Sequence, residues 1–190
     1  LDQLERLQAL SARGNRLHVI RSELFYNLPR LIELDLSGDP QALEPLEIEP
    51  QTFVGLNIRS LDLSYRLLDP LPSKVFLGLY KAERLVLRGC ELRAIEYLTF
   101  FFLKSLRVID LSENPRLIET LRETHEDSFF GLESIEAIRM ARCNLTSRDL
   151  HPTEGIFVRI HEEVRELDLS GNRLRTLDAA AFAHFPQLVR

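Results

Sequence analysis

Cys90 and Cys143 are the only thiols in this 190-residue chain, and both stand beside charged residues: Cys90 within Arg84–Leu92, next to Glu91, and Cys143 after Arg142. A cysteine in such a setting serves as a nucleophile, a metal ligand or half of a disulfide. Three of the five histidines, His125, His151 and His161, lie among carboxylates in Thr124–Asp127, His151–Glu154 and His161–Glu163. These are the residue types of a metal site without its tight ligand spacing, so solvated loops are expected there and no metal. Asn144-Leu145-Thr146 is a glycosylation sequon, relevant if the protein enters the secretory route. No serine sits in a nucleophile elbow and no glycine-rich loop is available to cradle a phosphate, so no catalysis and no cofactor are expected.

The elements that position these residues come from a repeat. With 45% hydrophobic residues the chain can bury a substantial core. Its longest apolar run, Tyr97–Leu103, is far too short to span a bilayer, so membrane contact is expected only through parts of a parent chain outside this sequence. The net charge is -5 and the basic residues are dispersed, which argues against nucleic acid as a partner.

Leu34-Asp35-Leu36-Ser37, Leu61-Asp62-Leu63-Ser64, Leu85-Val86-Leu87-Arg88, Ile109-Asp110-Leu111-Ser112, Ile138-Arg139-Met140-Ala141 and Leu167-Asp168-Leu169-Ser170 align, and Leu10–Leu17 makes a seventh copy. Counted from the apolar residue three places earlier, complete repeats start near 7, 31, 58, 82, 106, 135 and 164, with Leu188 opening another. The periods are 24, 27, 24, 24, 29, 29 and 24 residues. Residues 1–190 therefore read as a single domain with partial repeats at both ends. A second column, Phe25, Phe53, Phe76, Phe100, Phe129, Phe157 and Phe182, reads as an aromatic spine beneath the returning segments.

The place that closes each strand turn is filled by Asn15, Asp39, Arg66, Cys90, Asn114, Cys143 and Asn172. Asparagine there turns inward to bond backbone groups, and cysteine, small and a weak donor, substitutes for it. Both cysteines are thus structural. Two repeats apart, at about 4.8 Å per strand, their Cα atoms would be roughly 10 Å apart, beyond the roughly 7 Å that a disulfide tolerates. Asp39 and Arg66 depart from the pattern, and irregular turns are expected in the second and third repeats because a buried unpartnered charge costs several kcal/mol.

Each copy fits L-x-x-L-x-L-x-x-N/C-x-L. Over its whole length the chain resembles the phenylalanine-containing leucine-rich repeat proteins of animals, the class of Toll-like receptor ectodomains, Slit and chaoptin-like adhesion proteins. The resemblance implies an α/β fold: a curved solenoid with a parallel β-sheet on the concave face and loops or short helices on the convex face. It implies a non-catalytic protein-recognition module at the cell surface or outside the cell, with a protein ligand or co-receptor as partner and a homo-oligomer as a further assembly. An intracellular scaffold or adaptor is the alternative. The cysteine-rich caps and signal peptide of the class are missing, so a piece of a longer array is expected.

Because side chains alternate across a strand, the residues between the leucines face the concave side. The Asp of Leu-Asp-Leu-Ser is repeat background, and the departures carry the information. Tyr65, Arg84, Val86, Arg88, Val108, Asp110, Arg139 and Arg142 make the candidate partner-binding set, an apolar spot ringed by arginines and a tyrosine. Phe102 stands where three other copies have glycine and is a candidate for self-association on the convex side, with burial against the fifth-repeat insertion as the alternative.

Overall fold

The structure is a computed structural model describing residues 4–69, 71–124, 129–158, 160, 163–177, 179–183 and 185–190. Seven three-residue strands form one parallel sheet in chain order: β1 Ala9–Ser11, β2 Glu33–Asp35, β3 Ser60–Asp62, β4 Arg84–Val86, β5 Val108–Asp110, β6 Ala137–Arg139 and β7 Glu166–Asp168. Leu10, Leu34, Leu61, Leu85, Ile109, Ile138 and Leu167 stand side by side in register. One face of the sheet is therefore a continuous aliphatic wall, buried from Leu34 to Ile138. A one-residue slip would turn every one of these side chains to solvent, which fixes the register.

On the opposite wall Phe25, Phe53, Phe76, Phe100, Phe129 and Phe157 are buried. Phe76 stacks on Phe100 with ring centroids 6.4 Å apart, and Phe129 on Phe157 at 6.3 Å. Strands in a sheet repeat at about 4.8 Å. The aromatic wall is thus the longer one, and the coil bends toward the sheet, which becomes the concave face. Phe182, expected in the spine, is only half-buried. Phe185 is buried in its stead, edge-on to Phe157 at 5.7 Å.

The longer repeats spend their added residues on lateral structure. In the second, Glu44–Pro45 pairs with Arg66–Leu67, and Glu47–Ile48 pairs with Val19–Ile20. The fifth forms helix α1, Leu117–Glu123, which buries Leu117, Ile118 and Leu121, and the sixth forms a 3-10 turn, Ser147–Leu150, closed by a Thr146/Asp149 capping box. Arg122 near the end of α1 grips Asp149 through two bonds, Nε to Oδ1 at 2.6 Å and Nη2 to Oδ2 at 2.9 Å, and so ties the two insertions together.

The turn-closing column explains the cysteines. The Asn114 carbonyl oxygen accepts the N–H groups of Cys90 and Leu92, both at 3.0 Å, while its amide donates to the carbonyls of Leu87, Leu111 and Ser112. Asn172 serves Cys143 and Leu145 in the same way. Each cysteine needs only to fill space and donate weakly, as Cys90 does to the Leu63 carbonyl and Cys143 to that of Leu111, both at 3.2 Å. Both thiols are free and buried.

The turn of the third repeat is regular, contrary to expectation. Arg66 is fully enclosed, and its guanidinium donates to the carbonyls of Leu36 at 2.7 Å, Ser37 at 3.3 Å and Leu17 at 3.5 Å. It performs the donor half of asparagine's task; burial pulls the guanidinium below its ordinary value, which nearby Glu44 and Asp35 only partly offset. The second turn is irregular, as expected. Asp39 is exposed, accepts the Gln41 N–H at 2.9 Å and makes an antiparallel bridge to Ala42.

Candidate recognition surface

The repeated Asp and Ser of the concave face serve the fold. Asp35 Oδ1 accepts both the N–H and the hydroxyl of Ser37, Asp62 does the same for Ser64, and Asp110 and Asp168 accept the N–H of Ser112 and Ser170. Each carboxylate closes its own turn. The fourth repeat has Val86 and Arg88 in these two places and the sixth has Arg139 and Ala141, so both turns close without that bond, and Arg88 and Arg139 make other contacts.

A second departure lies one residue before the turn-closing place, where the backbone is left-handed in six of the seven repeats: Gly14, Tyr65, Gly89, Glu113, Arg142 and Gly171, with φ between 55° and 70°. Glycine adopts this conformation freely, whereas an L side chain costs on the order of 1 kcal/mol. Tyr65, Glu113 and Arg142 accept that strain, and neighbouring glycines make room for two of them. A Cβ on Gly89 would fall 2.6 Å from the Tyr65 ring, and one on Gly171 would fall 2.8 Å from Cγ of Arg142.

These residues join into one network. The Tyr65 hydroxyl donates to Glu113 Oε2 at 3.2 Å and accepts from Arg88 Nε at 3.1 Å. Arg88 Nη2 reaches Glu113 Oε1 at 2.7 Å, and Arg142 Nη1 reaches the same oxygen at 3.0 Å. The Arg88 hydrogen bond is the main reason the Glu113 carboxyl lies below its ordinary range, with Tyr65 and Arg142 adding to it against partial burial. The same bond raises the Arg88 guanidinium further above its already high value. The network spans the third to sixth repeats along the rim of the sheet.

The structure brings Tyr65, Arg88 and Arg142 together and adds Glu113, which sequence reasoning missed. The available signal was a non-glycine residue in a column otherwise rich in glycine. Arg139 belongs to a neighbouring pair, with Nε and Nη2 both 3.0 Å from Glu166 Oε1. Arg84 and Val108 are half-buried on the open face, and no hydrogen-bond or ion-pair partner is found for the Arg84 guanidinium among the described residues. Val86 and Asp110 are only 5% and 6% exposed and cannot serve as contact residues. They sit mid-sheet with residues in register on both sides, and Asp110 is turned to its own serine.

Phe102 does not project freely. It is half-buried, edge-on to Tyr80 at 6.3 Å and to Phe101 at 5.4 Å, on the side away from the fifth-repeat insertion. The exposed rings of that convex strip are Tyr80, Tyr97 and Phe130, with Phe130 stacked on both Tyr97 and Phe101. The Asn144 amide donates to the Pro115 carbonyl at 3.3 Å, and the Thr146 hydroxyl donates to Asp149 at 2.9 Å. His125 and His161 lie outside the described residues. Among the described residues no group of three or more metal-ligating side chains converges, and no helix is long and apolar enough to cross a membrane.

Two family models match the chain, one described as "Leucine rich repeat" over residues 5–68 and one as "Leucine Rich Repeat" over residues 163–185. Among curated proteins, the rat (Rattus norvegicus) leucine-rich repeat-containing G-protein coupled receptor 5 is 30% identical over 92% of this chain and 20% of its own length. Mouse (Mus musculus) podocan is 27% identical over 92% of this chain and 30% of its own. The chain therefore spans less than a third of either relative. Among solved structures, the mouse RP105/MD-1 complex matches with a TM-score of 0.68 and 20% identity over 94% of this chain and 28% of that one. The TLR13-ssRNA13 complex matches with a TM-score of 0.69 and 22% identity over 98% of this chain and 30% of that one.

Proposed function

The chain is a leucine-rich repeat solenoid, and we propose that it works without catalysis as a protein-recognition module of a cell-surface or secreted protein, gripping its partner across the concave sheet. The Tyr65–Arg88–Glu113–Arg142 network carries this reading. Three of its four members occupy a strained backbone conformation on an open face, where strain persists only when the surroundings impose it and is concentrated at functional sites. Tyrosine and arginine held rigid by their neighbours are the residues that dominate protein interfaces, because little side-chain entropy remains to be lost on binding. Similarity to a receptor from rat supports the same reading.

The test is a binding screen on the chain and on its Arg84→Glu/Arg88→Glu double variant. Loss of partners by the variant is expected, and an unchanged partner list would remove the site. Glycosylation at Asn144 is tested separately, because a glycosidase that leaves the mass of secreted material unaltered dismisses a sugar there. A second contact surface, for self-association, is supported by the exposed aromatic strip around Phe102. Replacement of Tyr97 and Phe130 by serine is then expected to abolish any dimer seen by sedimentation, and a dimer that persists would dismiss the strip.

A further inference from the structure

The charges on the concave sheet are ordered along it. Over β2 and β3 stand Glu33, Asp35 and Asp62, and among the described residues none of them has a salt-bridge partner. On β4 stands Arg84, half-buried and likewise without an acceptor, its register neighbours being Ser60 and Val108. The other arginines named on this face already have an acceptor within the chain, Arg88 and Arg142 sharing the single carboxylate of Glu113 and Arg139 paired with Glu166. Asp62, one strand over and one pleat along from Arg84, lies about 8 Å away by sheet geometry, so the two are not paired but share one local field.

On the reading that this sheet is the contact surface, we infer that it selects an extended peptide segment of bipolar charge, with a basic side chain over β2–β3 and a single carboxylate on the guanidinium of Arg84. A guanidinium presents a planar fork of donors matched to one carboxylate, and a partner carboxylate would supply the acceptor that the chain does not. Polyanions are disfavoured. A nucleic acid or sulfated glycan lying along the same path, with one anionic group on Arg84, would set the next against Asp62, Asp35 and Glu33, and like charges in that arrangement cost affinity. The separation between β3 and β4 is about 5 Å and that between β2 and β4 about 10 Å, which two to three residues of extended chain cover.

The experiment pans a phage-displayed library of linear twelve-residue peptides on the chain, on Arg84→Glu and on Asp35→Lys/Asp62→Lys, with circular dichroism confirming that each variant is folded. The chain is expected to enrich peptides with a Lys or Arg two or three residues from an Asp or Glu. Changing that acidic residue to its amide should weaken binding at least tenfold. Arg84→Glu should invert the preference at the acidic position, and the double lysine variant the preference at the basic one. Enriched peptides that lose affinity on Arg84→Glu but show no charge pattern overturn the bipolar partner and leave the concave site standing. Peptides bound equally by all three proteins, or no peptide retained by any, overturn both. Tighter, Arg84-dependent binding of single-stranded RNA or a heparin oligosaccharide also overturns the bipolar partner.

Discussion

Asn114→Ala is the sharpest test of how the coil is held. Five hydrogen bonds converge on this fully buried side chain. After truncation the Leu111 carbonyl keeps the Cys143 thiol, and the Ser112 carbonyl keeps the Gly89 N–H. The N–H groups of Cys90 and Leu92 and the carbonyl of Leu87 keep no partner. At about 1–3 kcal/mol for each buried polar group left unpaired, the three together cost about 3–6 kcal/mol after relaxation, a large share of the roughly 5–15 kcal/mol that holds a domain folded. With a urea slope of about 2–3 kcal/mol/M, the midpoint should fall by roughly 1–3 M. The chain has no tryptophan, so far-UV circular dichroism is the readout. Asn15→Ala is the internal control: it occupies the same place in the first repeat, is exposed and makes only two bonds to carbonyls, at 3.1 and 3.4 Å. Its cost should stay near 1 kcal/mol or less. Equal shifts for the two variants, or a shift under about 0.3 M for Asn114→Ala, would refute the claim that inward asparagines close these turns.

Burial pushes the Cys90 thiol up to about 12 and the Cys143 thiol up to about 11, so neither should react with iodoacetamide at pH 8 until urea unfolds the chain; fast labelling of the native protein would contradict their structural role. Gly89→Ala should cost about 2–3 kcal/mol, since it adds displacement of the Tyr65 ring to the left-handed backbone penalty of about 1 kcal/mol. Gly14→Ala, at φ 70° with nothing within 4 Å, should cost only that penalty, and equal losses would show that the ring is not fixed over Gly89. Burial alone would raise the Asp149 carboxyl, but the bonds from Arg122 and Thr146 outweigh it and hold the group below its ordinary value. Its stabilisation is therefore complete above the unfolded value near ~4 and is lost as pH falls through the lower folded one. Arg122→Ala, which takes the guanidinium away from a carboxylate that is 1% exposed in the intact protein and leaves Thr146 as its remaining partner, should cost about 2–4 kcal/mol at pH 7 and much less at pH 3; a pH-independent loss would assign the effect to packing instead.

The solenoid was legible because its buried columns recur: leucine at strand centres, phenylalanine on the far wall and an amide or thiol at each turn can be counted without coordinates. The lateral structure was not. Two-residue strands such as Glu44–Pro45 carry no alternation to read, and the regularity of the Arg66 turn depends on three carbonyls contributed by the first two repeats. At the candidate site the sequence pointed to Tyr65, Arg88 and Arg142 as departures from the repeat, but assigned Val86 and Asp110 to the surface because alternation gives the face of a side chain and not what covers it. Glu113 was missed for a related reason. It lies outside the strand, in a column where glycine is common, and its left-handed backbone is what gives that departure a physical meaning.

That position is also where fold and recognition meet. The strand-centre and spine columns carry the coil and point away from any partner. The Asp and Ser columns are dispensable to the coil, since the fourth and sixth repeats lack them and still pair in register with their neighbours. In most of the molecule, then, the surface can change while the fold stays. The left-handed column differs, because a side chain there strains its own turn, and two of the three also lie over a glycine of the next repeat, Tyr65 over Gly89 and Arg142 over Gly171. Substitutions in this column therefore move stability and binding together, whereas Arg84→Glu, on the same face but in a regular strand, changes the charge offered to a partner and leaves the turn beside it intact.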